Sequence, residues 1–414
     1  MALQLCESSS PSRRALLVTG GSLFAWAHLP KFARAADGRD PRLVVIILRG
    51  ALDGLAAVAP VGDPGYAALH GDLALSLTGE HAAVPLDGFF ALHPAMPAFA
   101  RLYRSGQAMV VHATATGYRD RSHFDGQDVL ETGLPGVGSV DSGWLNRALL
   151  ALPQGERIGP RQGLGVGVAT PLVLRGAAPV LGWAPQGLPA AGDDLAARLM
   201  DLYVHRDPVL AQALRAGLDT DKMAMRQGMA GEAAKPRGGA DSAPGMRQAA
   251  QGAARLMAAD EGPRVAALAF DGWDTHAEEG GATGRLARLL GGLDGALEEF
   301  ETGLGTRWKD TAIVVVTEFG RTARINGTVG TDHGTATVAF LAGGAIAGGR
   351  VVADWPGLGE AQLYENRDLK PTIDLRCVLK GLLADQFGLS PAVLAGRVFP
   401  NSAGLAPMKG LVTG

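Results

Sequence analysis

The sequence predicts an α/β fold, a three-layer sandwich with a mainly parallel central sheet and a helical insertion. Three observations support this prediction. Short apolar runs rich in β-branched residues recur along the chain, helix-like patterns separate these runs, and unusual polar clusters follow them directly. Such alternation is typical of parallel sheets whose strands are connected by helices that cover the two faces.

Short apolar runs mark the predicted strands. Leu43–Leu48 is a continuous run of leucine, valine and isoleucine, as expected for a strand that is buried on both faces of a parallel sheet. The other runs are Ala108–His112, Val265–Phe270, Ala312–Thr317 and Thr337–Leu341. We expect these runs to form one sheet.

Predicted helices lie between and after the strands. Apolar residues from Leu286 to Phe300 recur at spacings of three and four, which places them on one helix face. A second helical pattern runs from Leu369 to Phe387. Residues 190–260 hold two further patterns, Asp193–Leu218 and Met246–Ala259, joined by a stretch rich in glycine and alanine. We interpret this range as a helical insertion with a mobile linker that could cover a site.

Residues 1–35 have the pattern of a twin-arginine signal peptide. Arg13 and Arg14 precede a mildly apolar stretch that ends near Leu29, and Ala33-Arg34-Ala35 has the form of an A-x-A cleavage site. An amphipathic N-terminal segment is the alternative. The pattern predicts recognition by the twin-arginine export machinery and a location in the periplasm or outside the cell. Residues 37–414 would then form the exported α/β domain.

Composition and cysteine usage exclude several classes of protein. The formal net charge of −3 argues against nucleic acid as the main partner. No stretch after the signal peptide reaches the length of about 18 apolar residues that a membrane span needs. Cys6 would leave with the signal peptide, so Cys377 cannot form an internal disulfide. No cysteine cluster, haem motif or dinucleotide-binding glycine pattern occurs, which argues against a redox enzyme.

Acidic residues and histidines collect where the predicted strands end. Ligands of open α/β sheets bind beyond the carboxyl ends of the strands, so side chains there are candidates for a site. The candidate metal ligands are Asp53, Asp274, His276, Glu318, Asp332 and His333. Such ligands predict a divalent metal, either zinc, calcium, magnesium or manganese. Taken alone, each Asp has another explanation, because an Asp after a strand is commonly a turn residue or a helix cap. His70, His81 and His205 lie away from strand ends and are predicted to be solvated.

A second polar cluster occupies residues 118–128, where Ser122 begins a helix-like segment. In the functional interpretation, the Ser122 hydroxyl lies where helix-end amides and Arg119 or Arg121 hold a substrate anion. In the structural interpretation, Ser122 caps the helix and Asp125 completes a near capping box. One residue can serve both roles, and both interpretations stay open.

Several motifs in combination resemble one large bacterial family. They are RGALDGL, HPAMP, SHFDGQDVLETG, WDTH, VVVTEFGRT, GTDHG and RDLKPTIDLR, and the resemblance covers nearly all of residues 37–400. The family is the domain-of-unknown-function family number 1501, which is similar in turn to the alkaline phosphatase and sulfatase superfamily. This resemblance implies an alkaline-phosphatase-like fold. It also implies hydrolysis of phosphate or sulfate esters with one or two divalent metals and a Ser, Thr or formylglycine nucleophile.

The resemblance also implies roles for single residues. Asp53 matches the superfamily's metal-binding Asp after the first strand, and Ser122 matches the nucleophile at a helix start. Asp274 and His276 resemble the Asp and His after a middle strand, and His333 resembles the last metal histidine.

The sequence departs from the superfamily at three points. Glu318-Phe319 stands where Asp-His or Asp-Asn is usual, so one expected ligand is missing. Asp274 and His276 are closer together in sequence than the superfamily's Asp and His. No Cys-x-Pro-x-Arg motif occurs, which argues against a formylglycine sulfatase. A site with one metal and a degenerate, non-catalytic site are both compatible with these departures.

The residues and the resemblance together predict a metal-dependent periplasmic hydrolase of phosphate esters, sulfate esters or phosphonates. Ser122 or a water would be the nucleophile on a small anionic ester. Arg321 or Arg119 would balance the anion's charge, and His333 or His123 would protonate the leaving group. The alternative is an exported, non-catalytic binding or assembly protein that keeps the fold.

Overall fold

A mixed sheet of nine strands forms the centre of the computed structural model in the part of the chain that it describes. The described residues are 38–152, 163–167, 169–185, 199–200, 203–204, 207–226 and 242–413. Pro41–Gly414 forms one compact unit. The predicted signal peptide lies outside the described residues, and no described helix is long and apolar enough to cross a membrane.

The strands follow each other along the chain in two sheets. The strands of the large sheet are β1 (Arg42–Leu48), β5 (Ala108–Ala115), β6 (Gly163–Val166), β7 (Val180–Trp183), β8 (Val265–Phe270), β9 (Thr311–Thr317), β10 (Thr337–Ala342), β11 (Val351–Val352) and β12 (Ile373–Asp374). The small antiparallel sheet consists of β2 (Val58–Ala59), β3 (Val84–Pro85) and β4 (Ala91–Leu92). The large sheet has the order β11-β5-β10-β9-β1-β8-β6-β7. The short strand β12 also pairs with β5, a few residues further along β5 than β11 does.

The described helices are α1 (Gly54–Ala57), α2 (Tyr66–His70), α3 (Pro97–Arg104), α4 (His123–Thr132), α5 (Trp144–Ala151), α6 (Pro208–Arg226), α7 (Ala243–Ala258), α8 (Arg285–Leu304), α9 (Leu375–Phe387) and α10 (Pro391–Val393). Short 3-10 turns occur at Gly71–Leu73, Leu172–Leu174, Gly305–Asp310 and Glu360–Gln362, and a π-helical turn occurs at Leu394–Val398.

Most neighbouring strands of the large sheet are parallel, and β10 is antiparallel to both of its neighbours. The register puts Leu48 at the end of β1 opposite Phe270 in β8 and opposite Thr317 in β9. The loops that follow these three strands therefore leave the sheet side by side at one carboxyl edge. This register is what allows residues far apart in sequence to form one site.

Helices cover both faces of the sheet and make three layers. Val44 and Ile46 of β1 face a core formed with α3, α7 and α8. Leu43 and Val45 face the opposite core, formed with α5 and α9. All four side chains are 0% exposed, because a strand alternates its side chains between two covered faces. The predicted three-layer α/β sandwich is therefore confirmed.

The predicted strands and the helix at Leu286–Phe300 are all present, with small differences at their ends. The last helix starts later than predicted, at Leu375 rather than at Leu369. Pro371 lacks a donor for a helical hydrogen bond, and Ile373–Asp374 pairs with β5 instead. The Asp374 carboxylate then caps the helix by accepting from the amide of Arg376.

Two described helices lie within residues 190–260. α6 packs against β7, whereas α7 packs along α8. Met246, Ala250 and Met257 of α7 are buried in the same core as β1, so α7 is part of a helical layer of the sandwich. Residues 227–241, most of the predicted linker, lie outside the described residues, and the mobile linker stays a prediction.

Candidate functional site

One buried arginine joins the loops that follow β1, β8 and β9. The Arg321 guanidinium donates to the carbonyl oxygens of Ala51 (2.8 Å), Gly50 (2.7 Å), Trp273 (3.3 Å) and Thr331 (2.9 Å). Its side chain is 0% exposed. The sequence predicts that Arg321 or Arg119 balances the charge of a substrate anion; in the structure the buried Arg321 guanidinium donates to protein acceptors instead.

Arg321 also fixes the carboxylate at the centre of the site. Its NH2 group donates to Oδ1 of Asp274. Burial alone would raise the pKa of Asp274, but the hydrogen bond from Arg321 and the charge of Arg321 outweigh the effect of burial, so the pKa is lowered. Asp274 is therefore held as an ionised, half-exposed carboxylate.

Three imidazole rings face this carboxylate through their Nε2 atoms. Nε2 of His276 lies 3.1 Å from Oδ1 of Asp274, and Nε2 of His333 lies 3.6 Å from the same oxygen. Nε2 of His123 lies 3.6 Å from the other oxygen, Oδ2. The Nε2 atoms of His276 and His333 are only 2.9 Å apart. The ligand atoms of His123, Asp274 and His333 all lie within 4.8 Å of one another.

The opposite nitrogen of each ring contacts an oxygen acceptor. Nδ1 of His123 lies 2.8 Å from Oε1 of Glu318, and Nδ1 of His276 lies 3.3 Å from Oδ1 of Asp332. Nδ1 of His333 lies 2.9 Å from the carbonyl oxygen of Arg121. When each Nδ1 donates its proton to these acceptors, each neutral ring presents a bare Nε2 lone pair to the site. Metal-binding histidines are oriented in this way by their surroundings.

The donor set fits a divalent cation. Nε2 of His123 is buried and has no hydrogen-bond partner. Two bare nitrogens 2.9 Å apart, as at His276 and His333, repel each other unless a proton or a cation lies between them. Burial lowers the pKa of His333, which favours the neutral ring that a metal ligand must be.

The Glu318 carboxylate contacts Nδ1 of His123 from inside the protein. The sequence predicts it as a metal ligand, but its carboxylate is 0% exposed and accepts from the amide of Gly50 (2.8 Å), from the Thr317 hydroxyl (2.8 Å) and from His123. Burial would raise its pKa, but the hydrogen bond from His123 and those from backbone amides and Thr317 outweigh it and lower the pKa. The carboxylate therefore stays ionised and orients His123. Asp332 holds His276 in the same way.

Asp53 does not join this cluster in the structure. Its Oδ1 accepts from the amides of Leu55 and Ala56, both at 2.9 Å, and caps α1. Its Oδ2 lies 3.8 Å from Nε2 of His70. The helix-cap interpretation is therefore confirmed for Oδ1. No sequence pattern indicates this partner, and the prediction that His70 is solvated is wrong, because its side chain is 0% exposed.

Ser122 directly precedes His123 at the start of α4. It occupies the cap position, but its hydroxyl accepts no hydrogen bond from the helix amides. The hydrogen bond from a helix amide to the Ser122 hydroxyl, which is one half of the near capping box with Asp125, is therefore absent. Arg119 donates to the carbonyl oxygens of Thr116 and Tyr118, both at 2.6 Å.

Arg121 is also committed to protein acceptors. Its guanidinium donates to Oδ2 of Asp368 (2.7 Å) and to Oε2 of Glu365 (2.6 Å). The buried Asp368 also accepts from the Thr335 hydroxyl at 2.9 Å. Neither Arg119 nor Arg121 presents its guanidinium to the histidine cluster through a hydrogen bond; Arg121 contributes its backbone carbonyl to His333 instead.

Comparison with known proteins gives a family and two weak structural likenesses. The family model described as "Protein of unknown function (DUF1501)" matches residues 40–398. No curated protein matches the sequence. A solved structure titled "Ps i-CgsB in complex with k-i-k-neocarrahexaose" is 12% identical, with 76% of this chain and 69% of that chain covered and a TM-score of 0.39. A phosphonate monoester hydrolase of Agrobacterium radiobacter is also 12% identical, with 75% and 70% covered and a TM-score of 0.33. Structural similarities this weak are no basis for assigning a function to this chain.

Proposed function

The chain belongs to the DUF1501 family of proteins of unknown function, and we propose that it is a metal-dependent hydrolase of phosphate esters, sulfate esters or phosphonates. One observation carries the proposal. Three oriented imidazole Nε2 atoms, from His123, His276 and His333, converge on the carboxylate of Asp274. Such a set of nitrogen and oxygen donors is typical of hydrolytic metal centres.

His123, His276, His333 and Asp274 would hold the cation. Three imidazoles and one carboxylate favour zinc or manganese over calcium and magnesium, which prefer ligand sets made of oxygen. When bound, such a cation polarises an ester oxygen and lowers the pKa of a neighbouring hydroxyl or water. The ligand role replaces the predicted proton-donor role of His123 and His333, because one Nε2 atom cannot serve both purposes.

The start of α4 supplies the remaining groups. Ser122 is the candidate nucleophile, since its hydroxyl is not used to cap the helix and it directly precedes the ligand His123. The unpaired amides of the first helical turn favour an anion, so they would receive the charged oxygens of the ester. Arg119 and Arg121 keep the loop before α4 in place through their carbonyl and carboxylate partners. The substrate class is therefore a small anionic ester.

The predicted signal peptide would place this activity in the periplasm or outside the cell. Export by the twin-arginine route moves proteins that have already folded, which suits a chain that acquires its metal before export. The periplasmic location and the dependence on the export machinery both rest on residues 1–35. Fractionation of cells that express the full chain, beside an Arg13→Lys, Arg14→Lys variant, tests them: retention of the wild type in the cytoplasm contradicts export.

A non-catalytic binding or assembly protein is the second candidate. It is favoured by one observation, that both arginines predicted to hold an anion donate to acceptors within the protein. In this alternative, the histidine cluster stabilises the fold or a partner surface and turns over no ester.

Metal analysis and turnover assays separate the two candidates. The full chain is purified from the periplasm, its metal is counted, and hydrolysis of 4-nitrophenyl phosphate, 4-nitrophenyl sulfate and 4-nitrophenyl phenylphosphonate is measured. We expect a divalent metal bound at the histidine cluster and turnover of at least one ester, and we expect His333→Ala to lose the metal of the cluster and the turnover. His81→Ala is the matched control, because His81 is an exposed histidine outside the cluster. A protein that hydrolyses none of the three esters supports the binding protein instead.

A further inference from the structure

Arg367 is an exposed arginine that contacts the segment carrying one of the clustered histidines. Its Nη2 group donates to the carbonyl oxygen of His333 at 2.9 Å, and its side chain is 46% exposed. The three arginines that the sequence assigns to an anion differ from it, because the Arg321 side chain is fully buried and Arg119 and Arg121 donate to acceptors within the protein. Arg367 combines contact with the site and access to solvent.

A buried carboxylate fixes the Arg367 side chain. Nε of Arg367 donates to Oδ1 of Asp368 at 3.2 Å. The other oxygen of this carboxylate, Oδ2, accepts from Arg121 at 2.7 Å and from the Thr335 hydroxyl at 2.9 Å. Asp368 is itself 0% exposed and therefore holds its partners in fixed positions. An arginine that is already held in place loses less conformational entropy when it binds an anion.

The same carboxylate connects Arg367 to His333 by a second route. Nδ1 of His333 lies 2.9 Å from the carbonyl oxygen of Arg121, and the carbonyl oxygen of His333 accepts from Arg367. Both guanidinium groups contact Asp368. Arg367 is therefore held against the segment that brings Nε2 of His333 to the cluster.

A tight turn precedes Arg367. The Arg367 amide donates to the carbonyl oxygen of Tyr364 at 3.1 Å, and the two residues between them, Glu365 and Asn366, have φ values of +51° and +56°. This left-handed conformation is unfavourable for a glutamate. Residues in such conformations persist where surrounding contacts hold them, and they are frequent at functional sites.

Part of the Arg367 guanidinium is available for a ligand. An arginine side chain has five N–H donors, and no acceptor among the described residues contacts Nη1 of Arg367. The hydrogen bond from Asn326 lowers the pKa of Asp332, and the charge of Arg367 acts in the same direction. Asp332 contacts Nδ1 of His276. The positive charge of Arg367 therefore acts at the exposed side of the cluster.

We propose that Arg367 binds the anionic group of the substrate through Nη1, and that this substrate is a phosphate or sulfate monoester. The inference rests on the proposed hydrolase and narrows its substrate class. A monoester has three terminal oxygens on phosphorus or sulfur, whereas a phosphate diester or a phosphonate monoester has two. The cation, the amides that begin α4 and Arg367 provide three places for such oxygens. A guanidinium suits one of them, because it is always charged and donates in a planar fork.

Binding of inorganic phosphate tests the role of Arg367. Isothermal titration of the full chain as purified, with its metal counted, gives the phosphate affinity. We expect Arg367→Met to weaken this affinity by about 10- to 100-fold, because a charge-assisted hydrogen bond is lost, and to keep the metal content of the wild type.

Arg350→Met is the matched control and should leave the phosphate affinity unchanged. Arg350 is also exposed and also donates to a carbonyl oxygen, that of Gly410 at 2.6 Å. It directly precedes β11, which pairs with the amino half of β5 at Val110, away from the carboxyl edge that carries the cluster.

Three results overturn the role of Arg367. They are equal phosphate affinity in the wild type and Arg367→Met, no phosphate binding by the wild type, and loss of metal in Arg367→Met. The third result would mean that the arginine only keeps His333 in place.

Turnover tests the substrate class. In Arg367→Met we expect kcat/KM to fall by about 10- to 100-fold for 4-nitrophenyl phosphate or 4-nitrophenyl sulfate, and much less for bis(4-nitrophenyl) phosphate, which lacks the third terminal oxygen. Equal falls for the monoester and the diester would refute the monoester assignment.

The result is distinct from that of the proposed function. A chain that binds phosphate through Arg367 and turns over no ester keeps the anion site and loses the hydrolase. A chain whose ester turnover and phosphate affinity are the same in Arg367→Met keeps the hydrolase and loses this inference.

Discussion

Nδ1 of His123 lies 2.8 Å from Oε1 of Glu318, a carboxylate without exposed surface. This contact links α4 to the end of β9 and fixes which ring nitrogen of His123 faces Asp274. A buried acid that holds an imidazole has the same orienting effect in many metal sites. The contact explains why the sequence suggests a metal role for Glu318 while the structure assigns it a supporting one.

Removing the charge of Glu318 should weaken metal binding. In Glu318→Gln the acceptor that holds Nδ1 of His123 is neutral and can rotate its amide, so we expect the affinity for zinc to fall by about 10- to 100-fold. Isothermal titration of the chelator-treated protein measures it. Glu365→Gln is the control, since Glu365 is an exposed acid that contacts Arg121. Equal affinity in the wild type and Glu318→Gln would contradict the orienting role.

Replacing Arg321 should destabilise the whole carboxyl edge of the sheet. Arg321→Met leaves the carbonyl oxygens of Gly50, Ala51 and Thr331 without a donor, and we expect a loss of about 3–5 kcal/mol in the free energy of unfolding. Urea unfolding measures this loss. Arg101→Met should change the same quantity by less than about 1 kcal/mol, because Arg101 is exposed and forms a surface ion pair. Similar losses in both variants would show that Arg321 has no special role.

Acid should destabilise the protein through His112. This ring is fully buried; burial lowers its pKa from 6.5 to about 4, against the effect of its hydrogen bond to Val58. The folded state therefore binds the proton more weakly than the unfolded state. The contribution to stability is complete above pH 6.5 and declines as the pH falls toward 4, by about 1.4 kcal/mol per pH unit.

The variant His112→Gln isolates this effect. Between pH 7 and pH 5 we expect the wild type to lose about 2 kcal/mol more unfolding free energy than the variant, because the other titrating groups are common to both. Urea unfolding at the two pH values gives the comparison. Parallel losses in the two proteins would mean that His112 does not titrate as described.

Gly50 should not tolerate a side chain. Its φ of +119° disfavours other residues, and a Cβ atom there would lie 2.5 Å from the amide nitrogen of Asp274. Gly50→Ala should therefore lower both the unfolding free energy and the affinity for zinc. Gly106→Ala is the control, because Gly106 also has a positive φ, +75°, but has nothing within 4 Å of the new atom. If the two variants lose equal stability, the close approach to Asp274 has no effect.

The sequence by itself determined the sheet and the position of the site along it. Continuous apolar runs specify strands that are buried on both faces. Burial of the polar residues at the ends of these runs costs free energy unless they are paired, so such residues indicate a site. On this basis Asp274, His276 and His333 are identified as a group, and the structure brings these three together. His123 is identified as a site residue too, although in another role.

Only the tertiary structure decided which atom of each residue faces the site. A sequence places Asp53 and Glu318 after strands, but their roles depend on contacts with residues distant along the chain. Glu318 is enclosed by Gly50 and His123, and Asp53 faces His70. No local pattern marks His70, because its burial results from packing between separate segments. The reason is physical: strand formation follows from local side-chain chemistry, whereas a ligand set depends on register, loop path and the partner of each ring nitrogen.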